Sequence, residues 1–219
     1  MQRQILYSFR RCPYAIRARW ALKVCDLKVE LREIDLKNKP LDFLNKSKTR
    51  TVPLLILSNG DVIEESIDII FWALSKSKKH KVKYFKNEHK KRIINLIEEN
   101  DQDFKFHLDR FKYFSRFKGN DKETHYRKAH EIIIKWNNLI NESKYQYLID
   151  DQESVADWCL WPFVRQYKIA SISQKKTNFF EPPIEKWLGK FEKHNYFKEV
   201  MHKYSKWENP SKSNYFPIN

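Results

Sequence analysis

The sequence has little glycine: of its 219 residues only Gly60, Gly119 and Gly189 are glycines. Dinucleotide-binding fingerprints and P-loops need several glycines close together, because the backbone must approach a phosphate group. The three glycines lie too far apart for either motif. The sequence therefore excludes these two forms of nucleotide chemistry.

Long apolar runs are also missing. The longest, VPLLIL and WCLWPFV, are far shorter than the roughly 20 residues that a membrane-spanning helix needs. The N-terminal residues reach Arg10 and Arg11 before any long apolar run develops. We therefore expect no signal peptide and no membrane span. A content of 41% hydrophobic and 15% aromatic residues nevertheless predicts a folded chain.

Cysteine is scarce as well. The three cysteines, Cys12, Cys25 and Cys159, form no CxxC pair, and the seven histidines are scattered along the chain. This pattern fits neither a disulfide framework nor a zinc site. We expect a cytoplasmic protein that binds no metal.

Positive charge is abundant but unevenly placed. The formal net charge is +15, and the segment 76–92 alone holds nine basic side chains and one acidic one. A solvated linker is the favoured interpretation of this segment, and an anion-docking patch is the alternative. The aromatic residues form no pattern typical of RNA recognition, so a nucleic acid partner is not expected.

The first 75 residues alternate short apolar runs with amphipathic stretches, and Asn59-Gly60 marks a hairpin turn. They predict a small α/β domain with the order β-α-β-α-β-β-α. The predicted strands are 4–9, 29–35, 52–57 and 61–64, and the predicted helices are 13–25, 40–47 and 65–75.

From about residue 84 onward the pattern is helical, with apolar residues spaced by three and four. Ser154 and Asp157 predict a capping box at the start of one helix, and residues 209–219 look irregular. We expect a thiol-bearing α/β domain at 1–75, a basic linker at 76–87 and an all-helical domain at 88–219. The predicted helices are 87–117, 122–140, one from 154 and 184–194.

Cys12 is placed between the first predicted strand and the first predicted helix. The positive end of that helix and the nearby Arg10 and Arg11 favour the thiolate, and cysteines in such settings have pKa values lowered to roughly 3.5–7.5. Cys12 is thus a candidate nucleophile, and the alternative is a small apolar residue that fills space. Because position 15 is alanine, an oxidised Cys12 would need an external thiol to resolve it.

The sequence resembles the cytosolic glutathione transferase superfamily over nearly its whole length. The resemblance rests on four motifs taken together: RCPYA at 11–15, TVP at 51–53, Glu65-Ser66, and SVADWCLWPFVRQY at 154–167. The cysteine, with LKNKP at 36–40, most resembles the cysteine-type branch, which includes omega-like and bacterial members. The resemblance implies a thioredoxin-like N-terminal domain and an all-α C-terminal domain.

The resemblance also implies a glutathione site. Pro53 is cis in the family, and Val52 before it would offer its backbone amide and carbonyl to the cysteinyl unit of glutathione. Glu65 and Ser66 would hold the γ-glutamyl group, and Lys39 would reach the glycine end. A strand entry, a helix cap and a solvated lysine are the respective alternatives.

The activity implied is that of an enzyme whose Cys12 forms a mixed disulfide with glutathione, which is its substrate. The reaction would be thiol transfer on a small hydrophobic or disulfide-containing substrate, or dehydroascorbate reduction, by a homodimer. The alternative is a non-catalytic, transferase-like scaffold that binds an anionic protein or nucleic acid.

Overall fold

The computed structural model describes residues 3–76, 80, 83–117, 119, 121–142, 146–177, 180–208 and 213–218. The chain forms two compact units. The first contains Met1–Lys81 together with His194–Asn219, and the second contains Val82–Lys193. The predicted basic linker at 76–87 lies only partly within the described residues, because 77–79 and 81–82 fall outside them.

The first 75 residues form the elements that the sequence predicts, in the predicted order. Helix α1 begins at Pro13, whose fixed backbone angle and missing N–H suit the first position of a helix. The elements are β1 (Ile5–Ser8), α1 (Pro13–Val24), β2 (Val29–Glu33), α2 (Leu41–Lys46), β3 (Leu54–Ile56), β4 (Val62–Ile63) and α3 (Ser66–Ser75).

The second unit is helical, which confirms the predicted fold class. Its long first helix is interrupted: a single π-helical segment, Asn100–Phe104, separates two α-helices. No helix in the described part of the chain is long and apolar enough to cross a membrane. The α-helices are α4 (Lys90–Glu99), α5 (Lys105–Lys112), α6 (Lys122–Glu142), α7 (Val155–Ser173) and α8 (Pro182–Glu192).

The predicted capping box at the start of α7 is confirmed. The Asp157 carboxylate accepts hydrogen bonds from the Ser154 backbone amide at 2.8 Å and from the Ser154 hydroxyl at 2.7 Å. Its other oxygen accepts from the Leu148 amide at 3.0 Å and from the Trp187 indole at 2.8 Å. This buried carboxylate therefore ties the start of α7 to α8 and to the preceding turn.

After α8 the chain returns to the first unit, through α9 (Asn195–Val200) and a fifth strand, β5 (Asn214–Phe216). The expectation of an irregular tail is therefore wrong for residues 214–216. The expected helical domain at 88–219 likewise includes residues that pack with the sheet. The physical reason is non-local pairing: β5 lies antiparallel to β2, with Phe216 opposite Val29, and satisfies the edge of that strand.

The sheet has the strand order β4-β3-β1-β2-β5. Strands β1 and β2 are parallel and are joined through α1, which is the crossover that a parallel pair requires. Strand β3 runs antiparallel to β1, with Tyr7 opposite Leu54. This arrangement brings the loop after β1, which carries Cys12, next to the segment that enters β3.

Candidate functional site

Cys12 lies at the N-cap of α1, directly after the loop that follows β1. Its backbone amide donates to the Phe9 carbonyl at 3.0 Å, and its carbonyl accepts from the Ile16 amide at 2.9 Å. The side chain is partly exposed, and its Sγ lies 3.6 Å from the Val52 carbonyl oxygen, to which the thiol donates. The thiol thus meets solvent at the positive end of a twelve-residue helix.

Val52 and Pro53 form the entry to β3, and the peptide bond between them is cis. Both side chains are buried, and Val52 packs in the same apolar cluster as Tyr7 and Leu54, with Cys12 at its margin. The buried side chains fix the backbone, so that the Val52 carbonyl faces the thiol. The sequence predicted Cys12, Val52 and Pro53 as site residues in two separate segments, and the structure places these two segments side by side.

The loop before Val52 is held by contacts from two sides. Lys39 donates from Nζ to the Arg50 carbonyl at 2.9 Å, and the Arg50 amide donates to Ser47 Oγ at 2.8 Å. The Glu64 carboxylate accepts from the Ser47 hydroxyl at 2.7 Å and from the Thr49 amide at 3.1 Å. Lys39 is therefore placed beside the strand that carries Val52, as one of the groups that shape this loop.

Glu65 and Ser66 stand at the start of α3, Glu65 as the N-cap and Ser66 as the first helical residue. Glu65 is exposed, whereas Ser66 is buried and its Oγ accepts a hydrogen bond from Arg17 Nε at 3.0 Å. A hydroxyl has one donor besides its acceptor lone pairs, so the Ser66 O–H can still donate to a ligand. Arg17, itself buried on α1, is a residue that the sequence analysis missed.

Arg19 is a second missed residue, and it holds the loop that carries Cys12. Its guanidinium donates to the Arg10 carbonyl at 2.9 Å, to the Val200 carbonyl at 2.9 Å and to the Ser8 hydroxyl. Burial lowers the pKa of Arg19 to about 10, so it remains charged at neutral pH, and its charge interacts favourably with Cys12. The sequence held one signal for these two buried arginines. Residues 15–22 of α1 are apolar apart from Arg17 and Arg19, which leaves the two arginines little access to water.

Glu33 holds the same loop from the other side. Its carboxylate accepts from the Arg10 backbone amide at 2.6 Å, and the charges of Arg10 and Arg19 oppose the rise in its pKa that burial causes. The backbone carbonyl of Glu33 accepts from the Trp207 amide at 2.7 Å. The loop before Cys12 is therefore fixed by side chains from α1 and β2.

Unlike Cys12, the other two cysteines and the neighbouring Tyr7 are buried. Burial raises the pKa of Cys25, at the C-cap of α1, to about 11, and Cys159 is fully buried. Tyr7 is also buried, its pKa is raised to about 12, and its hydroxyl contacts Arg32 at 2.7 Å and Asp42 at 3.1 Å. Cys12 therefore has the most accessible thiol of the three.

Residues 6–80 match the model of the family described as glutathione S-transferase, N-terminal domain. The chain is 26% identical to glutathione S-transferase omega-1 of Mus musculus over 184 residues, which are 84% of this chain and 74% of the mouse protein.

Solved structures of similar fold cover nearly the whole chain. A Tau class glutathione S-transferase of mango, Mangifera indica, has a TM-score of 0.77 at 18% identity, with 92% of this chain and 93% of that chain covered. A glutathione transferase family member of Pseudomonas fluorescens, with two glutathione bound, has a TM-score of 0.75 at 15% identity, with 91% and 92% covered.

The sheet and its helices form a thioredoxin-like domain with a thiol at the start of α1. A helical domain follows it in the chain. Residues 6–80 therefore form a glutathione S-transferase N-terminal domain, and the chain shares the overall fold of the glutathione S-transferases to which it is similar.

Proposed function

We propose that this protein is a glutathione-dependent thiol transferase that acts through a mixed disulfide between Cys12 and glutathione. One observation carries the proposal: the Cys12 thiol is partly exposed at the N-terminus of α1, 3.6 Å from the Val52 carbonyl. A helix N-terminus favours the thiolate, which is the nucleophile in disulfide exchange.

The proposed reaction has two exchanges. The Cys12 thiolate attacks the glutathione sulfur of a substrate mixed disulfide, forms a Cys12–glutathione disulfide and expels the substrate thiolate, which takes a proton from water. The thiolate of a second glutathione then attacks the glutathione sulfur of that intermediate. Oxidised glutathione leaves, and the Cys12 thiolate is regenerated. Because Ala15 stands where a second cysteine would resolve the intermediate, the external thiol is required.

The residues around Cys12 that the sequence predicts for the site offer groups that suit each part of glutathione. The Val52 backbone pairs with the cysteinyl unit, as in strand addition. The Ser66 hydroxyl and the amides at the start of α3 bind the γ-glutamyl carboxylate, and the Glu65 carboxylate binds the ammonium group. Lys39 binds the glycine carboxylate, since its ammonium has three N–H groups and the Arg50 carbonyl takes one of them.

Arg17 strengthens the proposed role of Ser66. Its guanidinium donates to the Ser66 oxygen at 3.0 Å. A charged donor on the oxygen polarises the hydroxyl and makes its own O–H a better donor to a carboxylate. The buried guanidinium also adds positive charge behind the site.

The substrate class that we propose rests on the similarity to omega-class transferases. The mouse relative is named an omega-class transferase, and we propose thiol transfer, with dehydroascorbate reduction as an accompanying activity, on the strength of that similarity and of the cysteine at position 12. We also propose that the protein works in the cytoplasm as a homodimer, as the family resemblance implies.

The test is incubation with oxidised glutathione followed by intact mass measurement. We expect one glutathione per chain on the wild type and none on Cys12→Ser. Cys25→Ser is the matched control, because Cys25 lies at the other end of the same helix and its raised pKa keeps it as an inert thiol. That variant should bind one glutathione, as the wild type does.

A wild-type protein that is folded and forms no adduct would overturn the proposal. The non-catalytic scaffold that binds an anionic partner would then be the better account. Retention on heparin that falls with salt and persists in Cys12→Ser would support that account.

A further inference from the structure

Two histidines of the second unit meet where α5 and α6 pack together. His107, on α5, and His125, in the first turn of α6, place their Nδ1 atoms 2.7 Å apart. The two rings are tilted by 37° to each other, with their centroids 4.9 Å apart. Both side chains are partly exposed, so solvent and small ions can reach the pair.

The contact between the two Nδ1 atoms depends on where the ring protons lie. A neutral imidazole carries its proton on one nitrogen and a lone pair on the other. Two lone pairs 2.7 Å apart would repel each other, so one Nδ1 donates its N–H to the other in the free protein. If both protons lie on Nε2 instead, two lone pairs face the same place between the helices. A cation at that place turns this repulsion into two bonds.

The distance between the two nitrogens favours one coordination geometry. Imidazole nitrogens bind first-row metal ions at about 2.0–2.1 Å. Two nitrogens at a right angle on one ion are then about 2.8–3.0 Å apart, whereas two at the tetrahedral angle are about 3.3–3.4 Å apart. The observed 2.7 Å lies close to the right-angled value. Right-angled nitrogen ligands are typical of square-planar and tetragonal copper(II), which also forms the most stable complexes among the divalent first-row ions.

Phe106 holds both imidazoles in place. Its ring lies edge-on to the His107 ring, with 5.0 Å between the centroids, and to the His125 ring, with 5.7 Å. The guanidinium of Arg110 packs over the same phenyl ring, 3.4 Å from its centroid. The two imidazoles are therefore positioned before an ion arrives, which reduces the conformational entropy that binding would remove.

The electrostatic surroundings of the pair permit a bound cation. Four charged side chains act on the two imidazoles, two of them negative and two positive: Asp103, Asp121, Arg110 and Lys128. Because these charges balance, they do not by themselves repel a cation. Burial lowers the pKa of both His107 and His125, so both rings are neutral at pH 7 and can act as ligands.

We propose that His107 and His125 form a surface site for copper(II), which they bind through Nδ1 as a right-angled pair. In the part of the chain that the structure describes, no group of three or more histidine, cysteine or acidic side chains could hold a metal ion, so water completes the coordination. The proton of the donor Nδ1 moves through water to Nε2 of the same ring, and the pair releases no proton.

The proposed copper site differs from the sequence-based expectation of a protein that binds no metal. The two histidines are 18 positions apart and share no ligand spacing, because the pair exists only once α5 and α6 have packed. Both histidines belong to the second unit, whereas Cys12 belongs to the first. The copper site therefore does not depend on the proposed thiol transfer.

The test is a titration with copper(II) chloride, followed by electron paramagnetic resonance. The starting protein is Cys12→Ser, so that the accessible thiol neither binds nor reduces the ion. We expect one bound ion per chain, whose spectrum shows coupling to two imidazole nitrogens. His107→Gln and His125→Gln, each made in that protein, should show at most one such nitrogen and should bind at least about tenfold more weakly.

His202→Gln is the matched control, because His202 is an exposed histidine of the first unit, and it should leave the titration unchanged. Zinc(II), which prefers the tetrahedral angle, should bind at least about tenfold more weakly than copper(II). Circular dichroism should show that all variants are folded. Absence of bound copper in the folded starting protein, full affinity in either His107→Gln or His125→Gln, or equal affinity for zinc and copper would overturn the proposal.

Discussion

The guanidinium of Arg19 donates a hydrogen bond of 2.9 Å to the backbone carbonyl of Arg10, two residues before Cys12. The same buried group reaches the Ser8 hydroxyl and the Val200 carbonyl. The end of β1, the loop before the thiol and the end of α9 are therefore joined by one side chain. Because an arginine presents its donors in a fixed planar fork, this arrangement specifies the loop geometry as well as its charge.

We expect Arg19 to tune the reactivity of the Cys12 thiol. In Arg19→Met the pH midpoint of Cys12 alkylation by iodoacetamide should move upward, because a nearby positive charge no longer favours the thiolate. Arg19→Lys should restore part of the shift. Arg17→Lys is the control, since Arg17 is buried on the same helix but bonds to Ser66. An unchanged midpoint in a folded Met variant would show that Arg19 has only a structural role.

Ser66→Ala should lower the free energy of unfolding by about 1–3 kcal/mol, because the buried Arg17 Nε then loses its acceptor. Urea denaturation measures this change. Ser75→Ala, at the other end of α3, removes an exposed hydroxyl that bonds to the Trp72 carbonyl and should change stability by less than about 0.5 kcal/mol. Equal effects of the two substitutions would contradict the role assigned to the Arg17–Ser66 bond.

Arg50 has a backbone φ of 56°, in the left-handed region where a side chain is unfavourable. Arg50→Gly should therefore be more stable than Arg50→Ala by about 1 kcal/mol, measured by urea denaturation. At Lys46, the exposed last residue of α2, the order of stability should reverse, because glycine is worse than alanine in a helix. The same order at both positions would rule out this explanation.

Phe216→Ala should destabilise the first unit by about 3 kcal/mol, since the side chain is fully buried in β5. Ile218→Ala is the control, because Ile218 is 42% exposed and follows the strand by two residues. Chemical denaturation gives both values. If the two substitutions lower the free energy of unfolding by the same amount, β5 does not contribute to the sheet in solution.

The pH dependence of stability should carry a contribution from Glu153. Burial, and next the Asp157 charge, raise the pKa of Glu153 from 4.5 to about 7. A folded-state pKa above the unfolded value means that the folded state holds the proton more tightly, so this contribution is present below pH 4.5 and is lost as the pH rises through about 7.

Glu153→Gln keeps the shape of the side chain and removes this titration. The variant should match the wild type below pH 4.5 and exceed it in stability above pH 7, as followed by urea denaturation at a series of pH values. Glu185→Gln, at an exposed position on α8, should leave the profile unchanged. A parallel profile for Glu153→Gln and wild type would contradict the raised pKa.

Local patterns in the sequence were enough for much of the first domain. The order from β1 to α3 follows from alternating apolar runs, from Pro13 and from the Asn59-Gly60 turn, because these signals act within a few residues. The capping box of Ser154 and Asp157 was likewise visible as a short motif. The same is true of Cys12 between a strand and a helix.

The contacts that build the site depend on residues far apart in the chain. Arg17 reaches Ser66 across 49 positions, Lys39 reaches Arg50 across 11, and Cys12 reaches Val52 across 40. No periodicity encodes such pairs, because they exist only once α1, α3 and the sheet have packed together.

Features that depend on neighbouring residues were determined by the sequence alone, whereas features that depend on distant residues were decided by the tertiary structure. Residues close in sequence set where a thiol meets the start of a helix, since the strand, the proline and the helix are local features. The folded structure decided that Arg19 would hold that thiol's loop and that residues 214–216 would close the sheet against β2. Both depend on burial and on unpaired backbone groups at an edge, which arise only when distant segments come together.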